Sequence, residues 1–287
     1  MSTKKIIVLG GAGFLGTAIL KGLKNLSSTP LTSGDLHPPL LDDVNHVELD
    51  LLNGTSLKEK LTGYDVIINC VGQIASPFNL TLNLNTTGML NLGEVVGNSA
   101  ARLIHISSVS VYGSADKCDE SHSQNPETSY ATAKATAEII LQRYIDTPRL
   151  TILRLSNLYG SGQQKGVVAY IIRSFLSDRV LHFNNAGDLI RFYLHTEDCV
   201  ATIEDFVQDS TRHGIFNVVG PDDFSIKELI TTSEMILETS FESTFEQVKP
   251  WENLMSLSND KVQLAFHRPF NWNFKKYLQM RANKLGE

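Results

Sequence analysis

Tyr130 and Lys134, in the run Tyr130-Ala131-Thr132-Ala133-Lys134, stand at the spacing that puts two side chains on one helix face. A tyrosine hydroxyl ordinarily ionises near ~10, too high for a base at neutral pH, but a nearby ammonium favours the phenolate. Tyr130 is therefore a candidate acid/base, with Lys134, together with the positive ring of a bound cofactor, expected to bring its pKa toward the working range. Ser107-Ser108 closes an apolar run upstream, where the Ser108 hydroxyl could orient the same substrate oxygen. A second chemical feature lies near the start of the chain. Gly10, Gly13 and Gly16 follow the apolar run Ile6-Ile7-Val8-Leu9 and open a helical pattern. One such glycine permits a tight turn, one lets the backbone approach a pyrophosphate, and one lets the helix pack on the strand. The helix N-terminus then faces the negative charge. The pattern points to a dinucleotide held at Gly10, Gly13, Phe14 and Leu15. Asp35 lies about 20 residues further on, where an acid meets the adenine ribose and repels a 2′-phosphate, so NAD is favoured over NADP. Asp50-Leu51 is expected to flank the adenine, and Cys70-Val71-Gly72 to end a strand at the cofactor edge.

Positioning these groups requires alternating strands and helices. Ile6–Leu9, Val66–Cys70, Leu103–Ser107 and Thr151–Leu155 have the apolar, β-branched character of strands buried on both faces. Between them the spacing predicts helices over Phe14–Leu26, Leu84–Ser99 and Tyr130–Tyr144. Such alternation implies an α/β fold, a doubly wound parallel sheet of the Rossmann type. Leu31-Thr32-Ser33-Gly34, before Asp35, is a poor strand sequence. After Gly160 the rhythm changes. A helix is predicted over Val167–Leu176, and strands over Val180–Phe183 and Arg191–His195, flanking the loop Asn184–Asp188. A helix opened by a capping pattern at Thr196-Glu197-Asp198 follows, then a strand at Phe216–Val219. The expected division is a dinucleotide-binding domain over 1–160, with returns to the sheet around 190–220. A smaller C-terminal substrate lobe, interleaved with it, takes most of 161–287.

Composition limits the alternatives. The chain has 287 residues, 42% apolar and 20% charged, with a formal net charge of −6. It is neither disordered nor collagen-like, and the missing basic footprint argues against nucleic acid as a partner. Cys70, Cys118 and Cys199 form no C-x-x-C pair, so no zinc site or disulfide scaffold is expected and a reduced, cytoplasmic setting fits. No apolar run reaches the ~18 residues of a membrane span. Lys4-Lys5 and the apolar stretch behind it carry patterned glycines and lack a small-residue cleavage site, unlike a signal peptide. His182, His195 and His213 do not cluster with acids, so no metal is expected, and His195 is taken as structural. Glu138 is expected to form a surface ion pair, Trp251 and Trp272 to be packing residues, and Met235–Leu237 to be helix core.

From about Lys5 to Ile230 the chain resembles an extended short-chain dehydrogenase/reductase of the NAD-dependent epimerase/dehydratase family, most of all the members acting on nucleotide sugars. The marks are Gly10–Gly16, Asp35, Asp50-Leu51, Asn85 within NTTG, Ser107–Gly113 (SSVSVYG), Tyr130 with Lys134, Leu153–Gly160 (LRLSNLYG) and Arg191–Asp198 (RFYLHTED). The resemblance implies a catalytic trio of Ser108, Tyr130 and Lys134. Tyr130 would pass the proton of a sugar hydroxyl while the carbon gives hydride to the nicotinamide, and Lys134 would also hold the nicotinamide ribose. Asn85, Ser107 and Ser156 would line the cofactor side. Asn157 and Arg191 would hold the substrate diphosphate, for which a guanidinium fork is suited.

Departures from the family pattern narrow the reaction. Dehydratases of the family usually follow the Ser/Thr position with Asp-Glu, where this chain has Val109-Ser110. The His that some epimerase-reductases place after NLYG is replaced by Ser161-Gly162-Gln163. What remains is reversible oxidation and reduction at one sugar carbon, most often C4. An NAD-dependent epimerase is the first expectation and a 4-ketoreductase using NADH or NADPH the second. A non-catalytic dinucleotide-binding protein would have no need of Ser108, Tyr130 and Lys134. A homodimer through the Leu84–Ser99 and Tyr130–Tyr144 helices is a further family expectation.

Overall fold

The computed structural model describes residues 4–26, 31–72, 76–247 and 252–285. The first half alternates as the hydropathy pattern requires. Strand β1 (Ile6–Leu9) leads through the glycine turn into α1 (Phe14–Leu26), β2 (Leu31–Asp35), β3 (Asn45–Glu48), α2 (Gly54–Leu61) and β4 (Val66–Asn69). Helices α3 (Phe78–Asn85) and α4 (Thr87–Gly97) precede β5 (Arg102–Ser108), followed by α5 (Ser129–Tyr144), β6 (Leu150–Leu155) and β7 (Asn157–Tyr159). The rest comprises α6 (Val167–Phe175), β8 (Val180–Phe183), β9 (Arg191–His195), α7 (Thr196–Gln208), β10 (Gly214–Val218) and β11 (Asp222–Phe224). Helix α8 (Ile226–Leu237), β12 (Glu242–Phe245), α9 (Asp260–Phe266) and α10 (Phe274–Leu285) complete it.

Seven strands form one parallel sheet in the order β10-β6-β5-β4-β1-β2-β3. Alternate residues of one strand serve opposite faces. Ile6 and Val8 join the core under α1 and α7, whereas Ile7 and Leu9 join the core under α2, α4 and α5. Val66 and Ile68 against Ile67, and Leu153 and Leu155 against Ile152, divide in the same way. Each fully buried Ile or Leu contributes about 1.5–3 kcal/mol, so these strands are the rigid floor of the molecule. Strand order reverses between β1 and β4, which opens a crevice at the carboxyl ends of the strands.

The later segments build two small sheets, β11-β9-β7 and β12-β8, over a third core around Tyr159, Ile171, Phe183, Tyr193 and Phe274. Parallel pairing of β7 with β9 sets Asn157 opposite Tyr193, and β11 pairs antiparallel with β9, Phe224 opposite Arg191. β10 returns to the main sheet beside β6.

Several local expectations are corrected. Leu31–Asp35 is a full strand despite its sequence, because it is held between β1 and β3. A Cβ on Gly34 would meet Leu9 Cδ2 at 2.8 Å, so a larger residue there would push the Leu9 side chain aside. The helix predicted over Leu84–Ser99 begins earlier and breaks at Thr86, whose ψ of −84° turns the chain between α3 and α4. β8 and β9 flank their loop but do not pair: β8 pairs with β12, and β9 with β7 and β11. The cap of α7 is His195, whose Nδ1 accepts from the Glu197 amide at 3.3 Å. Met235 lies on the outer side of α8 and is 66% exposed, so it is not core. No described helix is long and apolar enough to cross a membrane.

Candidate active site

A cavity of about 1920 Å³ follows the carboxyl edge of the sheet and continues between β7, β9 and the start of α5. At one end lie Gly10, Gly13, Phe14 and Leu15, with Asp35, Asp50 and Leu51 beside them and Cys70, Val71 and Gly72 at the end of β4. Further along come Ser107, Ser108, Tyr130 and Ser156, and then Asn157 and Arg191. These sixteen positions singled out in the sequence thus share one continuous wall. Lys134 and Asn85 do not line it.

The glycine turn has the shape a dinucleotide needs. Gly10 has φ +77°, a left-handed conformation that L side chains rarely adopt. A Cβ on Gly16 would run into the Gly10 carbonyl, so α1 can start immediately behind the turn only with glycine there. Asp35 braces this turn. Its Oδ2 accepts from the Ala12 amide at 3.1 Å and its Oδ1 from the His37 amide at 3.1 Å, which leaves lone pairs on both oxygens for ribose hydroxyls. Asp50 Oδ1 accepts from the Leu52 amide at 2.9 Å, fixing the turn at the adenine end.

Tyr130 stands at the start of α5, capped by Thr128, whose Oγ1 accepts from the Ala131 amide at 3.1 Å. Lys134 is on the same face one turn later but points into the protein. It is fully buried, and its Nζ donates to the Ile106 carbonyl at 2.7 Å and lies 3.4 Å from His105 Nε2. Burial lowers the Lys134 amine to about 7, opposed by the charges of Glu138 and Cys70. The Tyr130 phenol is raised above its ordinary value, first by burial and then by the Glu252 carboxylate. Burial and Glu252 both favour the neutral phenol, while the Lys134 amine is turned toward the Ile106 carbonyl and His105.

Ser108 ends β5 and its Oγ accepts from the Ser110 amide at 3.2 Å, so the hydroxyl hydrogen remains directed by whatever enters the cavity. Ser107 is held from behind by Glu138, to which its hydroxyl donates. Glu138 is fully buried and is no surface ion pair. Arg154 reaches it with Nη2 at 2.7 Å and Nε at 3.1 Å, and Gln124 Nε2 donates to it at 2.6 Å. The Arg154 guanidinium also lies over the Tyr112 ring, 4.7 Å from its centre. This paired, hydrogen-bonded charge locks the ends of β5 and β6 to α5, and so fixes the Ser107–Ser108 corner relative to Tyr130. Asn85 is buried behind the wall, its Nδ2 donating to the Gly72 carbonyl at 3.1 Å and to Thr81 at 2.9 Å. Ser156 Oγ accepts from the Gly220 amide at 3.3 Å.

At the far end, Asn157 Nδ2 donates to the Phe192 carbonyl at 3.2 Å. Arg191 Nη1 donates to the carbonyls of Ile190 and Glu252, both at 3.0 Å. His195 and Trp272 stack with ring centres 4.3 Å apart, and both line the cavity. Trp251 lies outside the described residues.

A sequence profile of the NAD dependent epimerase/dehydratase family matches residues 6–219. The chain belongs to this family. Among its relatives, a dTDP-glucose 4,6-dehydratase of Mycolicibacterium smegmatis is 23% identical over 231 residues, covering 72% of this chain and 70% of the relative. An ADP-L-glycero-D-manno-heptose-6-epimerase of Brachyspira hyodysenteriae is 25% identical over 237 residues, covering 74% of each. The fold matches that of a Bacillus cereus UDP-glucuronic acid 4-epimerase, solved with UDP-glucuronic acid and NAD. The TM-score is 0.85 at 21% identity, over 98% of this chain and 99% of that one. Relatives thus include both dehydratases and epimerases acting on nucleotide sugars.

Two residues of this family member's site escape a sequence reading. Glu138 follows Lys134 by one helical turn, so the period that buries the lysine also buries the glutamate, a signal available in the sequence. Glu252 enters the cavity from a segment far along the chain, and no local pattern announces it.

Proposed function

We propose that this chain is an NAD-dependent nucleotide-sugar epimerase, working by reversible hydride transfer at a sugar carbon, C4, with Tyr130 as acid/base. The observation that carries this reading is the unbroken cavity from the glycine turn, past Ser108 and Tyr130, to Asn157 and Arg191. The glycine turn, Asp35, Asp50-Leu51 and the end of β4 fit a dinucleotide with unsubstituted ribose hydroxyls, which favours NAD over NADP. Bound NAD supplies the hydride acceptor and donor.

The chain's own residues do the rest. Tyr130 takes the proton from the reacting sugar hydroxyl and returns one when the carbonyl is reduced from its other face. Ser108 donates its free hydroxyl hydrogen to the same oxygen. Arg191 and Asn157 hold the diphosphate, which keeps the nucleotide fixed while the keto sugar turns. Lys134 acts from behind the wall, ordering β5 through the Ile106 carbonyl. In this reading the seven-stranded sheet, to which β10 returns from beyond residue 160, takes the cofactor, and the β7-β9-β11 side takes the sugar. The exposed Phe78, Leu82, Leu90 and Ile139 on α3, α4 and α5 support a homodimer through these helices. The three free, buried cysteines suit a cytoplasmic enzyme.

The test is to incubate purified protein with a panel of nucleotide sugars and their 4-keto forms, following products by NMR with and without added NADH. Interconversion of C4 epimers without added cofactor supports the epimerase. Stoichiometric loss of NADH on a 4-keto sugar would replace it with the 4-ketoreductase reading.

A further inference from the structure

Glu252 is held in place more firmly than a surface glutamate needs to be. Its φ is +54°, in the left-handed region that non-glycine residues seldom occupy unless their surroundings impose it. Here Glu127, Arg191 and Thr128 impose it. Its amide donates to Glu127 Oε2 at 2.6 Å and its carbonyl accepts from Arg191 Nη1 at 3.0 Å. Its carboxylate Oε1 accepts from the hydroxyl of Thr128, the cap of the catalytic helix, at 2.7 Å. The segment that follows runs along 115–118: Ala115 donates to the Asn253 carbonyl and Cys118 to the Ser256 carbonyl, both at 3.0 Å. Glu252 is thereby aimed at the start of α5, two residues from Tyr130, and it lines the cavity together with Tyr130, Ser108 and Arg191. Among the described residues no hydrogen bond occupies its Oε2.

We propose that Glu252 is a specificity-determining residue that touches substrate: its carboxylate accepts a hydroxyl of the sugar and turns away sugars that carry a carboxylate of their own. The inference rests on the nucleotide-sugar reading above and names a class within it, neutral sugars rather than uronic acids. The charge arrangement favours this. Arg191 borders Glu252 through the Glu252 carbonyl and is assigned with Asn157 to the diphosphate. The Glu252 carboxylate, with Glu127 behind it, is instead directed to Thr128 at the start of α5, toward Tyr130, where the sugar must lie for a proton to pass to the phenol. A uronate carboxylate there would face one carboxylate directly and a second close by, and like charges in contact repel. A hydroxyl in the same place gains a charge-assisted hydrogen bond.

The test uses the full chain loaded with NAD and isothermal titration. Nucleoside diphosphates of the five common bases are titrated first, and the glucose and glucuronic acid conjugates of the base that binds are then compared. The neutral conjugate should bind at least about tenfold more tightly than the uronate in the wild type. In Glu252→Gln that gap, taken as the ratio of the two conjugates, should shrink to about threefold or less. A wild type that binds the uronate as well as the neutral sugar overturns the inference without any variant. So does a Glu252→Gln protein that keeps the full gap, and either result leaves the nucleotide-sugar reading standing. Failure of every diphosphate to bind overturns both.

Discussion

His105 Nε2 faces Lys134 Nζ across 3.4 Å inside the protein, and the hydrogen bonds around the pair leave room for only one proton between them. The Val71 amide donates to Asn69 Oδ1 at 3.0 Å, so the Asn69 NH₂ group is the one that meets His105 Nδ1, also at 3.0 Å. Nδ1 is then an acceptor, and the imidazole proton sits on Nε2, pointing at the lysine. An N–H facing an ammonium would be two donors in conflict. The arrangement suits a neutral amine, in line with burial lowering Lys134 to about 7 and His105 well below its ordinary value.

The first expectation follows directly. In the cofactor-free protein, long-range ¹H–¹⁵N correlations should show His105 as the neutral Nε2–H tautomer, without titration between about pH 5 and 8. A proton on Nδ1, or a titration step in that range, would contradict the assignment.

Lys134 also makes stability depend on pH. Its amine is lowered in the folded chain from 10.5 to about 7, so between those values the unfolded chain binds the extra proton. Stability should therefore rise as pH goes up from about 7 to 10.5, and the penalty of burying the charge is in full force below 7. Lys134→Met should raise the melting temperature relative to wild type at pH 6, and by clearly less at pH 9.5. An equal effect at both would show that the amine is not titrating in this window.

The Glu138–Arg154 pair gives a third expectation. Removing one partner strands the other charge among packed strands, so Glu138→Ala should cost about 3–5 kcal/mol in urea unfolding. Glu138→Leu combined with Arg154→Met should cost clearly less than the sum of the two single changes. Additive losses would mean that the two side chains are not coupled.

How much of this was legible beforehand depended on whether the signal was local. Gly10, Gly13 and Gly16 sit within one turn, and strands such as Val66–Asn69 are apolar on both faces, so the sheet and its cofactor edge follow from short stretches. β2 was obscured because Thr32, Ser33 and Gly34 are poor strand formers, and their neighbours β1 and β3 decide the matter instead. Glu138 of helix α5 finds Arg154 on strand β6, and Glu252 finds Thr128 more than a hundred residues away. No spacing rule connects such pairs; only the fold does. Tyr130 and Lys134 share a helix face as expected, yet the lysine goes inward, because the Ile106 carbonyl and His105 receive it there.

Gly16→Ala tests the turn itself. The added methyl would press on the Gly10 carbonyl, so α1 must move away from the loop. NAD affinity should fall by at least about tenfold, with a drop in melting temperature of a few degrees for about 1 kcal/mol lost. Unaltered affinity would place the dinucleotide elsewhere.

The central claim is that the Tyr130 phenol acts on the substrate beside a dinucleotide bound over the glycine turn. Turnover and NAD affinity of Tyr130→Phe, measured together on the active substrate, test it most directly. Loss of about 10²–10⁴-fold in kcat with NAD affinity within about twofold of wild type is the predicted result. A variant that turns over like the wild type would contradict it.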